Sequence, residues 1–251
     1  MPHSARLLSP LLLGTVIAGP PRRDRYGLTV IPLQVRGAES AQARSAPRLV
    51  VRELQPPTPG AVLIANTAGR AGTAVFGQRL TGGMADRVVA TTTAAPPGEA
   101  SIAPVAPLEP RWWDEGPLRV GGRLPPTVLA LLLLAASDWI GLRSLARTAL
   151  WEACRELPED AWAEAEDGWA ILDGSTLLAA HLILPGAMSS PAPAPTLEMP
   201  SSTLFHRALT DAARDDRVVW STTSRRDLVE LSILRPSLAL PEAILRASAG
   251  R

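Results

Sequence analysis

Through its first 110 residues this chain runs in short apolar, β-branched stretches, each closed by proline or glycine. Such punctuation leaves room for strands and little for long helices. Proline removes a backbone donor and clashes inside a helix, while β-branched side chains fit a pleated surface. Leu28 to Leu33 reads as a strand, and Pro32 confines it to a sheet edge or a strand end. Residues 37–47 are small and polar and read as a loop. Arg48 to Leu54 alternates as a strand does, Pro56 to Gly60 makes a break, and Ala61 to Ala65 forms a second apolar run. Thr73 to Phe76, a turn-like stretch from Gly77 to Asp86, and Val88 to Thr93 follow. The Pro96-Pro97-Gly98 turn then leads into Ala100 to Val105.

The second part changes character. Gly121 and Gly122 read as a hinge, after which Pro126 suits the first turn of a helix through Leu129, Leu133 and Ala136. Ser137 or Asp138 is placed to cap a second helix, in which Ile140, Leu145, Leu150, Trp151 and Cys154 recur at helical spacing. Pro158 with Glu159 and Asp160 has the form of a third helix start, with Gly168 ending it. Trp169 to Leu172, the Asp173-Gly174 pair and Thr176 to Leu184 read as a hairpin, since Asp-Gly permits the positive φ that tight turns need. Phe205 to Arg214 is helix-like and Val218 to Ser221 strand-like. Ser224 and Asp227 form a capping box before Leu228, and a last helix is expected from Pro241.

These readings predict a mixed α+β fold: a β-rich N-terminal part, then core helices, a β-hairpin and C-terminal helices. One domain over 1–251 is expected, with a β-rich subregion at 20–113, a helical and hairpin subregion at 122–187, a proline-rich loop at 185–203 and a C-terminal helical segment at 204–251.

Composition narrows the function classes. Hydrophobic residues make up 46% and charged residues 20%, as in a globular protein able to bury a core without disulfides. The net charge of +1 offers no long-range attraction for a phosphate backbone, so no nucleic acid partner is expected. Every basic side chain among the 25 is arginine, which excludes a Schiff-base or P-loop lysine. The single cysteine, Cys154, excludes an internal disulfide and a multi-cysteine zinc site, and reads as buried filler. His3, His181 and His206 lack ligand spacing, and His181, among apolar neighbours on a strand, reads as structural. No metal and no cofactor is implied. The apolar run at 127–136 is too short to span a bilayer. Residues 1–18 resemble a secretory signal, but Ser9 and Pro10 interrupt the run and Arg22-Arg23 follows it; a cytoplasmic location is the expectation and a signal the alternative.

No hydrolase elbow, dinucleotide fingerprint or P-loop is present. The chemistry-bearing stretch is Phe76-Gly-Gln-Arg-Leu-Thr-Gly-Gly-Met-Ala-Asp-Arg87. Paired Gly82 and Gly83 could bring backbone amides to a ligand there, and Arg79 and Arg87 could meet phosphate or carboxylate. The bland alternative is a glycine turn between strands. Downstream, Glu109-Pro-Arg-Trp-Trp113 places a carboxylate, a guanidinium and two indoles together, which suits stacking on a base or sugar, or a surface Arg-Trp stack. Gly82, Gly83, Arg87, Glu109, Arg111 and Trp112 are the candidate ligand-binding residues; none is assigned a catalytic role.

The order Gly27-Leu-Thr-Val-Ile-Pro-Leu33, the Gly-Gln-Arg-Leu-Thr-Gly-Gly stretch ending at Arg87, Pro97-Gly98 and Glu109-Pro-Arg-Trp112 resembles the bacterial ARG-and-rhodanese-phosphatase-superfamily-associated protein domain family. Trp151-Glu152 and the 168–187 hairpin before the Phe205 helix are similar in layout, so the resemblance covers nearly the whole chain. Gln78 and Arg79 stand where that family has acidic residues, Met84, Ala85 and Asp86 replace Lys-Gln-Asn, and Pro107 replaces a cysteine. The resemblance implies an accessory or binding module of an ADP-ribose- or NAD-linked or defence-type system, non-catalytic, taking a protein partner or a nucleotide-like anion. Two alternatives stand beside it. One is an enzyme acting on an ADP-ribosyl or phosphorylated substrate with Glu109 or Asp86 as acid or base; the other is a structural subunit of a larger complex.

Overall fold

The computed structural model describes residues 16–35, 49–108, 116–155, 167–185, 200–225 and 228–250. The protein is α+β. Among the described residues the chain order opens with strands β1 (Val16–Ala18), β2 (Arg22–Arg23) and β3 (Thr29–Val35). A long β region follows: β4 (Leu49–Thr58), β5 (Ala61–Asn66), β6 (Gly72–Ala74), β7 (Gln78–Thr81), β8 (Arg87–Val89), β9 (Thr93–Ala95), β10 (Ala100–Pro107) and β11 (Arg119–Arg123). Then come helices α1 (Pro126–Ala135) and α2 (Ile140–Arg155), the hairpin β12 (Gly168–Asp173) and β13 (Thr176–Pro185), and helix α3 (Pro200–Arg214). Strands β14 (Val219–Arg225) and β15 (Leu228–Leu234) and helix α4 (Ala239–Ala249) complete it.

Two compact units result, where the sequence reading draws one domain over 1–251. The first comprises Met1–Ser40, Pro126–Ala153 and Glu166–Arg251, and the second Ala41–Pro125 and Cys154–Ala165. The first unit is built on an antiparallel sheet in the order β1-β3-β12-β13-β15-β14, with β2 also on β3. Alternation sends Ile31, Leu33, Ala170, Leu172, Ala180, Leu182, Leu231 and Ile233 to one face, where they pack with Phe205, Ala208, Leu209 and Ala212 of α3. On its other side the sheet meets α1, which approaches β12, β15 and α4 and buries most of its length.

Pro32 is neither at an edge nor at a strand end, contrary to expectation: β3 lies between β1 and β12. The break in its flanking partner explains this. β1 pairs with β3 through Leu33 and β2 rejoins at Val30, while Gly19 N donates to Pro32 O at 2.8 Å. The missing Pro32 N–H therefore faces the gap between β1 and β2 and costs no ladder bond.

The hairpin falls where the Asp-Gly pair predicts it, with Gly174 at φ 59°. Other expectations shift. Gly168 opens β12 instead of ending a helix, and a side chain there would collide with His181 O; most of the helix expected from Pro158 lies outside the described residues. Gly121 and Gly122 sit inside β11 at a register irregularity rather than in a hinge. Ser137 Oγ donates to Leu134 O at 2.7 Å and so closes α1 rather than opening α2. Helix α3 begins at Pro200, inside the expected loop. The Ser224 capping box opens no helix: Leu228 to Leu234 is strand β15, because Val229, Leu231 and Ile233 alternate onto one face and its neighbours on both sides are strands. The segment 204–251 is thus a helix, a hairpin and a helix.

At the turn between α3 and β14, Asp215 accepts from Arg217 Nε and Nη2 at 3.0 Å each and from Arg217 N at 3.0 Å, and it also pairs with Arg235. The Arg217 contacts, and then Arg235, hold its carboxyl well below the usual carboxylate range. Among the described residues, no helix is long and apolar enough to cross a membrane.

The second unit is a six-stranded antiparallel sheet, β11-β7-β8-β10-β5-β4, with β6 and β9 as a separate pair. The sheet curls until its terminal strands β11 and β4 meet. Val51, Val62, Ile64, Leu80, Val89, Ala103 and Val105 share its core. Strand β7 occupies part of the stretch expected to be a turn, and β4 runs on through the expected break to Thr58 with a register irregularity after Glu53. Asn66, the last residue of β5, is buried: its Nδ2 donates to Ala95 O at 2.8 Å and Arg70 O at 2.9 Å, and its Oδ1 accepts from Ala68 N at 2.9 Å.

Candidate functional site

Strands β7 and β8 pair with Arg79 opposite Val88 and Leu80 opposite Arg87, and the glycine turn joins them. Gly82 and Gly83 have φ of 84° and 67°, values that cost glycine nothing and other residues free energy. Space imposes the same choice. A Cβ on Gly82 would lie 2.7 Å from Pro117 O, and one on Gly83 would lie 2.5 Å from Glu53 Oε1.

Most polar groups of this turn meet one another; Arg87 Nε and Glu53 Oε2 are buried without a hydrogen-bond partner among the described residues. Gly83 N donates to Gly116 O at 2.9 Å and Met84 N to Glu53 Oε1 at 2.8 Å. Asp86 accepts from Gly82 N at 3.2 Å and from Arg79 Nε at 3.1 Å, and it pairs with Arg79 Nη2 as well. Arg87 is completely buried, at 0% exposure. Its Nη2 pairs with Glu53 Oε1 and its Nη1 donates to Thr58 O at 3.4 Å. A buried guanidinium needs such a partner, since an unpaired charge in this environment costs several kcal/mol.

Gly82, Gly83 and Arg87 are therefore brought to one turn. Glu109, Arg111 and Trp112 lie outside the described residues. Arg79, which could meet a phosphate or carboxylate, meets the chain's own carboxylate, Asp86. Glu53 is the member of the site that sequence reasoning did not single out. Its signal was the one carboxylate in β4, and its partner, 34 residues on, is set by the curl of the sheet.

Among the described residues no group of three or more His, Cys, Asp or Glu is placed to hold a metal ion. Chemically the turn offers two matched ion pairs and backbone amides that already have acceptors. No family model, no curated protein and no solved structure matches this chain.

Proposed function

We propose that this chain is an accessory binding module of a bacterial ADP-ribose- or NAD-linked or defence-type system, acting in the cytoplasm, and that its glycine–arginine turn breaks no bonds. The observation that carries this reading is the mutual neutralisation of the turn: Arg87 with Glu53, and Arg79 with Asp86. A general acid or base must reach substrate with a proton to exchange, and Asp86 is held by Arg79 and Gly82 N. Arg87 is enclosed and already holds the carboxylate of Glu53, which favours a protein partner over a nucleotide-like anion.

Calorimetry with ADP-ribose, NAD and inorganic phosphate is expected to give no binding heat, while the tagged chain is expected to retain a defined, stoichiometric protein partner from its native host. Saturable heat with ADP-ribose or NAD, abolished in Arg87→Met, would overturn the preference for a protein. Turnover of an ADP-ribosyl or phosphorylated substrate, lost in Asp86→Asn, would replace the module reading with the enzymatic one.

A further inference from the structure

In the first unit, far along the chain from the glycine turn, strands β13, β15 and β14 carry His181, Ser232 and Ser221 directly opposite one another. Trp169 extends the row onto β12. His181 Nδ1 lies 3.0 Å from Ser232 Oγ, and its Nε2 lies 3.6 Å from Glu230 Oε1. Glu230 is two residues from Ser232 and so shares its face of the sheet. The imidazole thus has a hydroxyl on one nitrogen and a carboxylate near the other, the relation by which a base activates a hydroxyl nucleophile while a third group orients the base. Trp169 stacks on the ring at a centroid distance of 5.9 Å and an interplanar angle of 29°.

Burial grades along the row. His181 is 2% and Trp169 1% exposed, Ser232 is half-buried, and Ser221 and Thr223 on edge strand β14 are exposed. The base is therefore shielded, and Ser232 is the less buried residue of the pair. That is the order nucleophilic catalysis requires.

We propose that Ser232 is a nucleophile toward small carboxylic esters, with His181 as its base and Glu230 as a positioning residue that holds the imidazole. Ser232 Oγ bonds to the ester carbonyl carbon as its proton passes to His181 Nδ1. The Ser221 hydroxyl, opposite Ser232 in register on β14, would serve as donor to the developing oxyanion. The C–O bond to the alcohol then breaks, and the alcohol leaves with the proton from His181. Water attacks the acyl-serine, gives its proton to His181, and the acid departs as Ser232 Oγ is reprotonated. This centre is independent of the reading of the glycine–arginine turn, which concerns the other unit.

The test is reaction of the full chain with a fluorophosphonate probe, peptide mapping by mass spectrometry, and the burst of p-nitrophenol from p-nitrophenyl acetate. The expected result is one adduct, on Ser232, with loss of both adduct and burst in Ser232→Ala. Labelling is expected to slow at least tenfold in Glu230→Gln and to recover in part in Glu230→Asp, a rescue that a packing role for Glu230 does not produce. An unlabelled Ser232 in the native chain, whatever the variants do, overturns the proposal, because a structural hydrogen bond to His181 leaves the hydroxyl inert. Labelling unchanged in Glu230→Gln overturns the role of Glu230.

Discussion

Arg87 lies wholly inside the curled sheet of the second unit, and its guanidinium pairs with the carboxylate of Glu53, which also receives Met84 N. One carboxylate oxygen thus serves a buried charge and the backbone of the glycine turn together. Glu53→Ala strands that charge and is expected to destabilise the protein by about 3 kcal/mol. Urea unfolding measures it, and the double variant Glu53→Ala/Arg87→Met should recover part of the loss, because removing both partners leaves no orphaned charge.

Gly83 and Gly98 separate conformation from space. Both have positive φ, 67° and 71°, but a Cβ on Gly83 meets Glu53 and Leu118 while one on Gly98 meets nothing within 4 Å. Gly98→Ala is expected to cost about 1 kcal/mol from backbone strain alone. Gly83→Ala should cost clearly more, with thermal unfolding midpoints ranking native, then Gly98→Ala, then Gly83→Ala.

Asp215 links stability to pH. Its carboxyl is depressed in the folded state, chiefly by Arg217 and then by Arg235. Such a group stabilises the fold fully above its unfolded value of about 4, and the contribution is lost as pH falls below that value. Asp215→Asn should therefore be less stable than the native chain by about 1–2 kcal/mol at pH 7. The gap should shrink between about pH 4 and pH 2, followed by urea unfolding at each pH.

Asn66 ties three backbone groups, two in the 68–70 loop and one in β9, with one side-chain amide. Asn66→Ala leaves the carbonyls of Arg70 and Ala95 without that donor and should cost about 2 kcal/mol. Asn66→Asp should be at least as damaging, since it sets a carboxylate against two carbonyl oxygens. Hydrogen exchange should show Ala68 N losing protection in Asn66→Ala, and unchanged protection there would refute the arrangement.

Local chemistry made much of this legible. Gly174 marks the hairpin because positive φ is a local requirement, and Pro126 marks the start of α1 because its ring suits a first helical turn. The Gly82-Gly83 turn lies between strands as read. Failures came where a local signal meets a neighbouring strand. Ser224 and Asp227 spell a helix start, yet Leu228 to Leu234 pairs with β13 and β14. Pro32 spells an edge, yet a gap between β1 and β2 admits it to an interior strand.

By itself the sequence determined the α+β class, the turns that need glycine, the helices from Pro126 and near Pro241, and the absence of lysine chemistry, all of which depend on residues within a few positions of one another. Only the tertiary structure decided what the charges do. Whether Arg87 faces a ligand or Glu53, and whether His181 stands alone or between Ser232 and Glu230, depends on residues 34, 51 and 49 positions away, brought close by the curl of one sheet and the register of the other. A side chain's charge is written in its codon, but its partner is chosen by strand pairing, which propensity does not encode.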